Sequence, residues 1–160
     1  MFDQLTNKII SISLKKFKTV SLNNIEYNFI QTKKKLFFGW QEVIIDNKTI
    51  HVATAEKALI DIINFRKSKY AVDFVIEKIK EHKDNFDFNR LAEYLKEFSE
   101  ATIKTFGFIF DLLNINSANV YRLAENSIKT KHSTHRMLAG DKKFNAKWRL
   151  YYDEYFDKYL

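Results

Sequence analysis

The sequence predicts an α+β fold: an N-terminal antiparallel sheet of hairpins, then a bundle of about five helices, then a late C-terminal strand. Three observations carry that expectation. Apolar and polar residues alternate through much of 8–53, the period of a half-buried strand. From Thr54 the apolar residues recur at three and four positions, the period of an amphipathic helix. Alternation returns at Trp148, Leu150 and Tyr152. Strands and helices grouped in separate stretches indicate α+β rather than a βαβ series.

Taken in order, Ile10, Ile12 and Leu14 form the first alternating run. Val20 and Leu22 lead into Asn23-Asn24, and Ile25, Tyr27 and Phe29 alternate beyond them. Asn tolerates left-handed backbone, so this pair predicts a hairpin turn. Val43-Ile44-Ile45 and Thr49-Ile50-His51-Val52 flank Asp46-Asn47-Lys48, a second hairpin. All these strands are expected as antiparallel neighbours in one sheet. Thr54 is placed to cap the first helix, with Glu56 in the first turn, where the helix dipole favours an anion. Ala55, Ala58, Leu59, Ile62 and Ile63 are its expected apolar face. Val72, Val75, Ile76 and Ile79 mark the second helix. Asp87 caps a third with Leu91, Leu95 and Phe98 inward; Ser99 caps a fourth, apolar nearly all round and so expected at the centre. Ser117 caps a fifth through Val120, Tyr121 and Leu123, and 127–146 reads as a long loop.

The chain has 160 residues, enough for one domain, and residues 1–160 are read as a single domain. It has no Cys, so thiolate metal sites and disulfides are excluded and a cytoplasmic location is the expectation. No apolar run reaches the ~20 residues of a membrane helix, and with Asp3, Gln4 and Asn7 interrupting the start no secretory signal is expected there. Pro is absent, and glycine occurs only at Gly39, Gly107 and Gly140. Lys and Arg number 27 against 20 Asp and Glu, a net charge of +7, which favours contact with a polyanion or an acidic protein.

Two basic groups stand out. Lys15, Lys16 and Lys18, with Lys33, Lys34 and Lys35, are expected at the same outer end of adjacent strands, where clustering raises the potential that binds phosphate. Lys129, Lys131, Arg136, Lys142 and Lys143, with His132 and His135, form a basic stretch in the long loop. The plain alternative for the first group is a solvated strand end or a lysine-guarded edge; for the second it is a disordered, merely soluble loop. His132 and His135 have a spacing suited to a metal, but only Asp141 lies close and a site needs three or four ligands. Glu56 and Asp61 are five apart and do not share a helix face, so they do not make an acid–base pair; Asp61 is expected as a surface or hydrogen-bonding acid. Glu81-His82-Lys83 and Asp141-Lys142-Lys143 match a nuclease in letters alone, one at a helix end and one in a loop. Three isolated glycines make no phosphate loop. No catalytic residue, metal or cofactor is expected. Tyr152, Tyr155, Phe156 and Tyr159 have helical spacing and are expected to close the core, the alternative being an exposed partner surface.

One stretch says more than the rest. Phe37-Phe38-Gly39-Trp40 is an aromatic-glycine corner, followed by the second hairpin and by Thr54-Ala55-Glu56-Lys57-Ala58-Leu59-Ile60-Asp61. With Lys15-Lys16-Phe17-Lys18, Ile25-Glu26-Tyr27-Asn28-Phe29-Ile30 and Trp148-Arg149-Leu150 in the same order, the chain resembles the C-terminal domain of the AbiEi family, the antitoxins and transcriptional regulators of type IV toxin–antitoxin systems. Asn28 stands where the family has Arg, and Ala55 where it often has Pro. Family members usually begin with a winged helix, whereas Met1 here leads almost directly into the first strand. An excised or split domain and a natural variant without its own DNA reader both fit. The resemblance implies a non-enzymatic antitoxin-type regulatory domain. It would counteract a nucleotidyltransferase-like toxin, with or without a stable complex, and assist autoregulation. The other reading is a basic module that binds DNA or RNA within a split transcriptional regulator. Neither involves a membrane.

Overall fold

The computed structural model describes residues 7–130 and 133–160. The chain divides into two compact units, Met1–Phe38 and Gly39–Leu160. The architecture is α+β, with strands first, five α-helices in the middle and short strands late.

The first unit is a three-stranded sheet of β1 (Lys8–Ser13), β2 (Val20–Leu22) and β3 (Ile25–Gln31), in the order β1-β3-β2. Asn23 and Asn24 both take positive φ, 50° and 63°, the turn that matches strand twist. The β2–β3 hairpin is therefore as expected. β1 is not: it pairs with β3 in parallel, Lys8 opposite Glu26 and Ser13 opposite Gln31. Residues 14–19 cross past the end of β3 and reach its other edge, so the connection is a crossover and not a hairpin. No residue between Asn7 and Phe38 is buried.

The second unit opens on a separate antiparallel hairpin, β4 (Trp40–Ile45) and β5 (Lys48–Ala53). It turns at Asp46 and Asn47, again with positive φ. The single sheet expected from the sequence is thus two sheets. The helices follow: α1 (Ala55–Phe65), α2 (Lys69–Glu81), α3 (Phe88–Leu95), α4 (Glu100–Leu112) and α5 (Ala118–Lys129). Thr54, Asp87 and Ser99 cap α1, α3 and α4 by accepting first-turn N–H bonds, as expected. Ser117 does not cap α5; its hydroxyl donates to Asp111, and the Asn116 side chain takes the Ala118 N–H instead.

α4 is the central helix, buried from Thr102 through Phe110 and again at Leu112. Against it pack α5, with Val120, Ala124 and Ile128 buried, and α1; α2 (Val72, Val75, Ile76, Ile79 buried) and α3 (Leu91, Leu95 buried) pack against α1. The buried face of α1 differs from the expected one. Ala55 is exposed, while Glu56, Lys57, Ile60 and Asp61 are buried beside Leu59 and Ile63.

The segment after α5 is not all loop. β6 (His135–Arg136), β7 (Lys143–Asn145) and β8 (Leu150–Tyr152) form a third sheet in the order β6-β8-β7. Like the first sheet, it has one parallel and one antiparallel pair around its last strand. Trp148 precedes β8 and is fully buried. Its indole lies over Gly107, where an added Cβ would come within 2.1 Å of the ring. That close approach explains a glycine in mid-helix, which otherwise costs ~1 kcal/mol relative to Ala. The indole N–H donates to Asp111 at 2.7 Å. The chain closes on a 3-10 turn over Glu154–Tyr159, not an α-helix. Phe156 from this turn is fully buried, so the aromatic tail completes the unit's own core.

Candidate polyanion-binding site

The parallel pairing of β1 and β3 decides where the first lysine group falls. Both strands run in the same direction and finish together, Ser13 beside Gln31. The Thr32 N–H donates to the Ser13 carbonyl at 2.8 Å, and the Gln31 side chain donates to the Leu14 carbonyl at 3.3 Å. Lys15 and Lys16 leave β1 at that point, and Lys33, Lys34 and Lys35 leave β3 at the same point. Lys18 sits in the crossover that passes this end on its way to β2. All six are exposed. Among the described residues none of the six enters an ion pair, whereas Lys8, at the other end of β1, is held by Glu26 at 3.0 Å. Phe17 stands exposed among the lysines, its ring 5.3 Å from that of Phe29. The end of this sheet is therefore a concentrated positive surface with one aromatic face. Lysine ammonium groups without carboxylate partners keep their counterions exchangeable, which is what a polyanion displaces.

The second basic group is distributed differently. Lys129 pairs with Glu125 and Lys143 with Asp157. Arg136 donates to the Asp141 carbonyl and stacks its guanidinium 4.3 Å from the Tyr151 ring. Lys142 is exposed and enters no ion pair among the described residues. Lys131 and His132 lie outside the described residues. The described ones sit on or beside α5, β6 and β7, and most are bound to neighbours of their own.

Asp141 and His135 have structural partners too. The Asp141 carboxylate is buried and accepts the Leu138 N–H at 2.7 Å; burial pushes its pKa up, against that hydrogen bond. His135 meets Lys104, a fully buried lysine of α4, at 3.2 Å through Nδ1. Burial, then the Lys104 charge, hold the imidazole below its ordinary pKa. Lys104 also donates to the Ser133 carbonyl at 3.1 Å, and burial lowers its own pKa. Among the described residues no three His, Asp or Glu side chains gather for a metal. No helix among them is long and apolar enough to cross a membrane.

The conspicuous run from Gly39 to Asp61 makes a scaffold. Gly39 has φ of 78°, and its carbonyl accepts the Thr54 N–H at 2.9 Å. A Cβ there would lie 2.8 Å from the Lys57 side chain. Lys57 and Asp61 form a buried pair at 2.6 Å, one helical turn apart. Burial raises the Asp61 carboxyl, opposed by its lysine; Asp61 is a hydrogen-bonding acid of the interior and not of the surface. Glu56 is buried as well. It accepts the Asp87 N–H at 2.9 Å and pairs with Arg90 at 3.2 Å, tying the start of α1 to the start of α3. Burial alone would raise the Glu56 pKa, but those two partners hold it below the ordinary value. Sequence reasoning did not find Lys104, Gly107 or Asp111 as organising residues; the Gly in an otherwise apolar helix was the one signal available.

The chain matches no protein-family model, no curated protein and no solved structure.

Proposed function

We propose that the chain is a non-enzymatic regulatory domain of the antitoxin type, and that it acts through the lysine-rich end of its first sheet on a polyanion. The observation that carries this reading is the convergence of Lys15, Lys16, Lys18, Lys33, Lys34 and Lys35 at one strand end, with no carboxylate partner among the described residues. The resemblance of the Phe37–Asp61 run to the AbiEi antitoxins supplies the biological setting. In that setting the target is a nucleotidyltransferase-like toxin or the nucleic acid it acts upon. The motif residues are structural: Gly39, Lys57 and Asp61 are linked in one place, and Glu56 ties α1 to α3 through Asp87 and Arg90.

The test is growth rescue. The chain is co-expressed with a nucleotidyltransferase-like toxin encoded beside it. Rescue is expected, and it should be lost when Lys15, Lys16, Lys33, Lys34 and Lys35 are changed to Glu while circular dichroism stays native. A folded chain that never rescues, or a charge-reversed variant that rescues fully, overturns the antitoxin reading. The second reading, a nucleic-acid-binding module of a split regulator, is favoured by Phe17, an exposed ring on which a base stacks among the lysines. It expects tight, salt-sensitive binding of DNA or RNA without rescue.

A further inference from the structure

Lys104 lies in the first half of α4 and is fully buried. Its ammonium meets two groups of the chain that enters β6. It donates to the Ser133 carbonyl at 3.1 Å and lies 3.2 Å from His135 Nδ1. The other ring nitrogen, Nε2, lies 3.9 Å from the Glu100 carboxylate, which also accepts the Ser133 hydroxyl at 3.1 Å. β6 is tied to β8 by two backbone bonds, from the His135 N–H to the Arg149 carbonyl and from the Met137 N–H to the Tyr151 carbonyl. Its side-chain seat on α4 is therefore this cluster of Glu100, Lys104, Ser133 and His135.

A charged lysine has only donors. His135 Nδ1 must therefore accept, which makes the imidazole neutral and puts its proton on Nε2, the nitrogen that faces Glu100. Moving the charge to the imidazole and leaving the amine neutral keeps the bond but not a second cation. A second proton turns both groups into cationic donors 3.2 Å apart, one of them with no contact to water. Glu100 offsets this in part only. A separation of 3.9 Å is past hydrogen-bond reach, and its side chain is 47% exposed, so water screens it. Arg149 adds further positive charge at Lys104. Arg136, the next residue of β6, faces Tyr151 and the Asp141 carbonyl instead. The site thus holds one cation where its two bases can carry two.

We propose that Lys104 and His135 form an acid-sensitive latch between α4 and the chain entering β6, closed while the pair holds one positive charge and opened when it must hold two. Opening frees Ser133–Arg136 from the helix, uncovers Lys104 and loosens Met137 and Leu138, which are buried just beyond. Burial, then the Lys104 charge, hold His135 below its ordinary 6.5. The closed form therefore binds fewer protons than the open one. Its stabilisation is complete above pH 6.5 and is lost as pH falls through the lower value of the closed form. The latch uses none of the strand-end lysines, so it stands apart from the antitoxin reading.

The test is NMR of the full chain from about pH 8 to about pH 5, the range in which a histidine titrates. The His135 ring proton resonance gives its midpoint. Hydrogen exchange at the His135 and Met137 amides, corrected for the intrinsic rate, gives the opening. The midpoint is expected below 6.5. Opening is expected to grow about tenfold for each pH unit between that midpoint and 6.5, with the amides of α4 staying the more protected. Lys104→Met, similar in length and uncharged, should raise the midpoint. His135→Asn keeps an acceptor near the Nδ1 position and cannot titrate, so its corrected exchange should not change with pH. A parent midpoint at or above 6.5 overturns the proposal. So does a Lys104→Met midpoint equal to the parent's, or a His135→Asn variant that opens with acid as the parent does. Exchange of β6 and α4 amides together marks unfolding of the whole unit and overturns it too. If Lys104→Met does not fold, the parent titration and His135→Asn decide by the same criteria.

Discussion

Gly107 and Trp148 make one contact out of two residues far apart in sequence. The indole occupies the space that a methyl group would take, and the ring has no flexible end to move aside. Gly107→Ala should therefore destabilise the fold by ~3 kcal/mol, the upper part of the overpacking range. The helix-propensity gain of ~1 kcal/mol is too small to reverse that. Trp148→Ala should cost about 3–5 kcal/mol by emptying the same site. In urea denaturation the double variant should lose clearly less than the sum, since the clash and the cavity relieve each other. An additive result would mean the two sites are independent. At this scale the sequence was partly legible. Thr54, Asp87 and Ser99 are recognisable caps because capping is local. The burial of Lys57, Glu56 and Lys104 is not, because a charged side chain reads as solvated until its partner is known.

The C-terminal 3-10 turn clamps α2. Asp73 accepts hydrogen bonds from the Tyr155 and Tyr159 hydroxyls and pairs with Lys158 at 2.9 Å. Burial alone would raise the Asp73 carboxyl, but Tyr159, Lys158 and Tyr155 together hold it below its ordinary 3.8. An acid held low in the folded state stabilises above that ordinary value and loses its contribution as pH falls through the folded one. Tyr159 is pushed up from 10.0 to about 12, by burial and then by Asp73. A phenol held high stabilises below pH 10.0 and loses its contribution as pH rises towards about 12. Melting temperature against pH should fall on both limbs. Asp73→Asn should flatten the acid limb and Tyr159→Phe the alkaline limb. Unchanged limbs in both variants would show that the clamp contributes nothing in solution. The elements themselves were largely visible in advance, since period and turn residues are local. The parallel pairing of β1 was not, because a strand's alternation is the same whether its neighbour runs with it or against it. The short strands β6 and β7 were missed because two or three residues carry no period.

Charge is distributed unevenly over the molecule. Residues 1–38 hold seven lysines against Asp3 and Glu26, a net of +5, while 39–160 hold 20 basic and 18 acidic residues. Five of the seven excess positive charges thus belong to the smaller unit. If that unit meets nucleic acid, binding should weaken steeply with salt. Changing Lys33, Lys34 and Lys35 to Glu should flatten the slope of log affinity against log salt by roughly 2–3, at ~0.7–0.9 per phosphate contact. Fluorescence anisotropy with a labelled oligonucleotide reads this directly; an unaltered slope would remove the strand end from the interface. The candidate site was legible as a run of lysines. Their meeting at one end of neighbouring strands was expected from antiparallel strands, whereas the parallel pairing of β1 with β3 is what brings it about.

The seating of Trp148 on Gly107 also sets an order of events during synthesis. The central helix leaves the ribosome with its notch open, and 41 more residues must be added before the ring that fills it exists. Until then the growing chain carries all five helices, with the central α4 lacking one of its walls. A message broken before codon 148, or a ribosome stalled there, releases a product with most of its helices and an unfilled centre. A chain ending before Trp148 should therefore be cut faster by a protease than the chain that carries it, by the loss of this one contact.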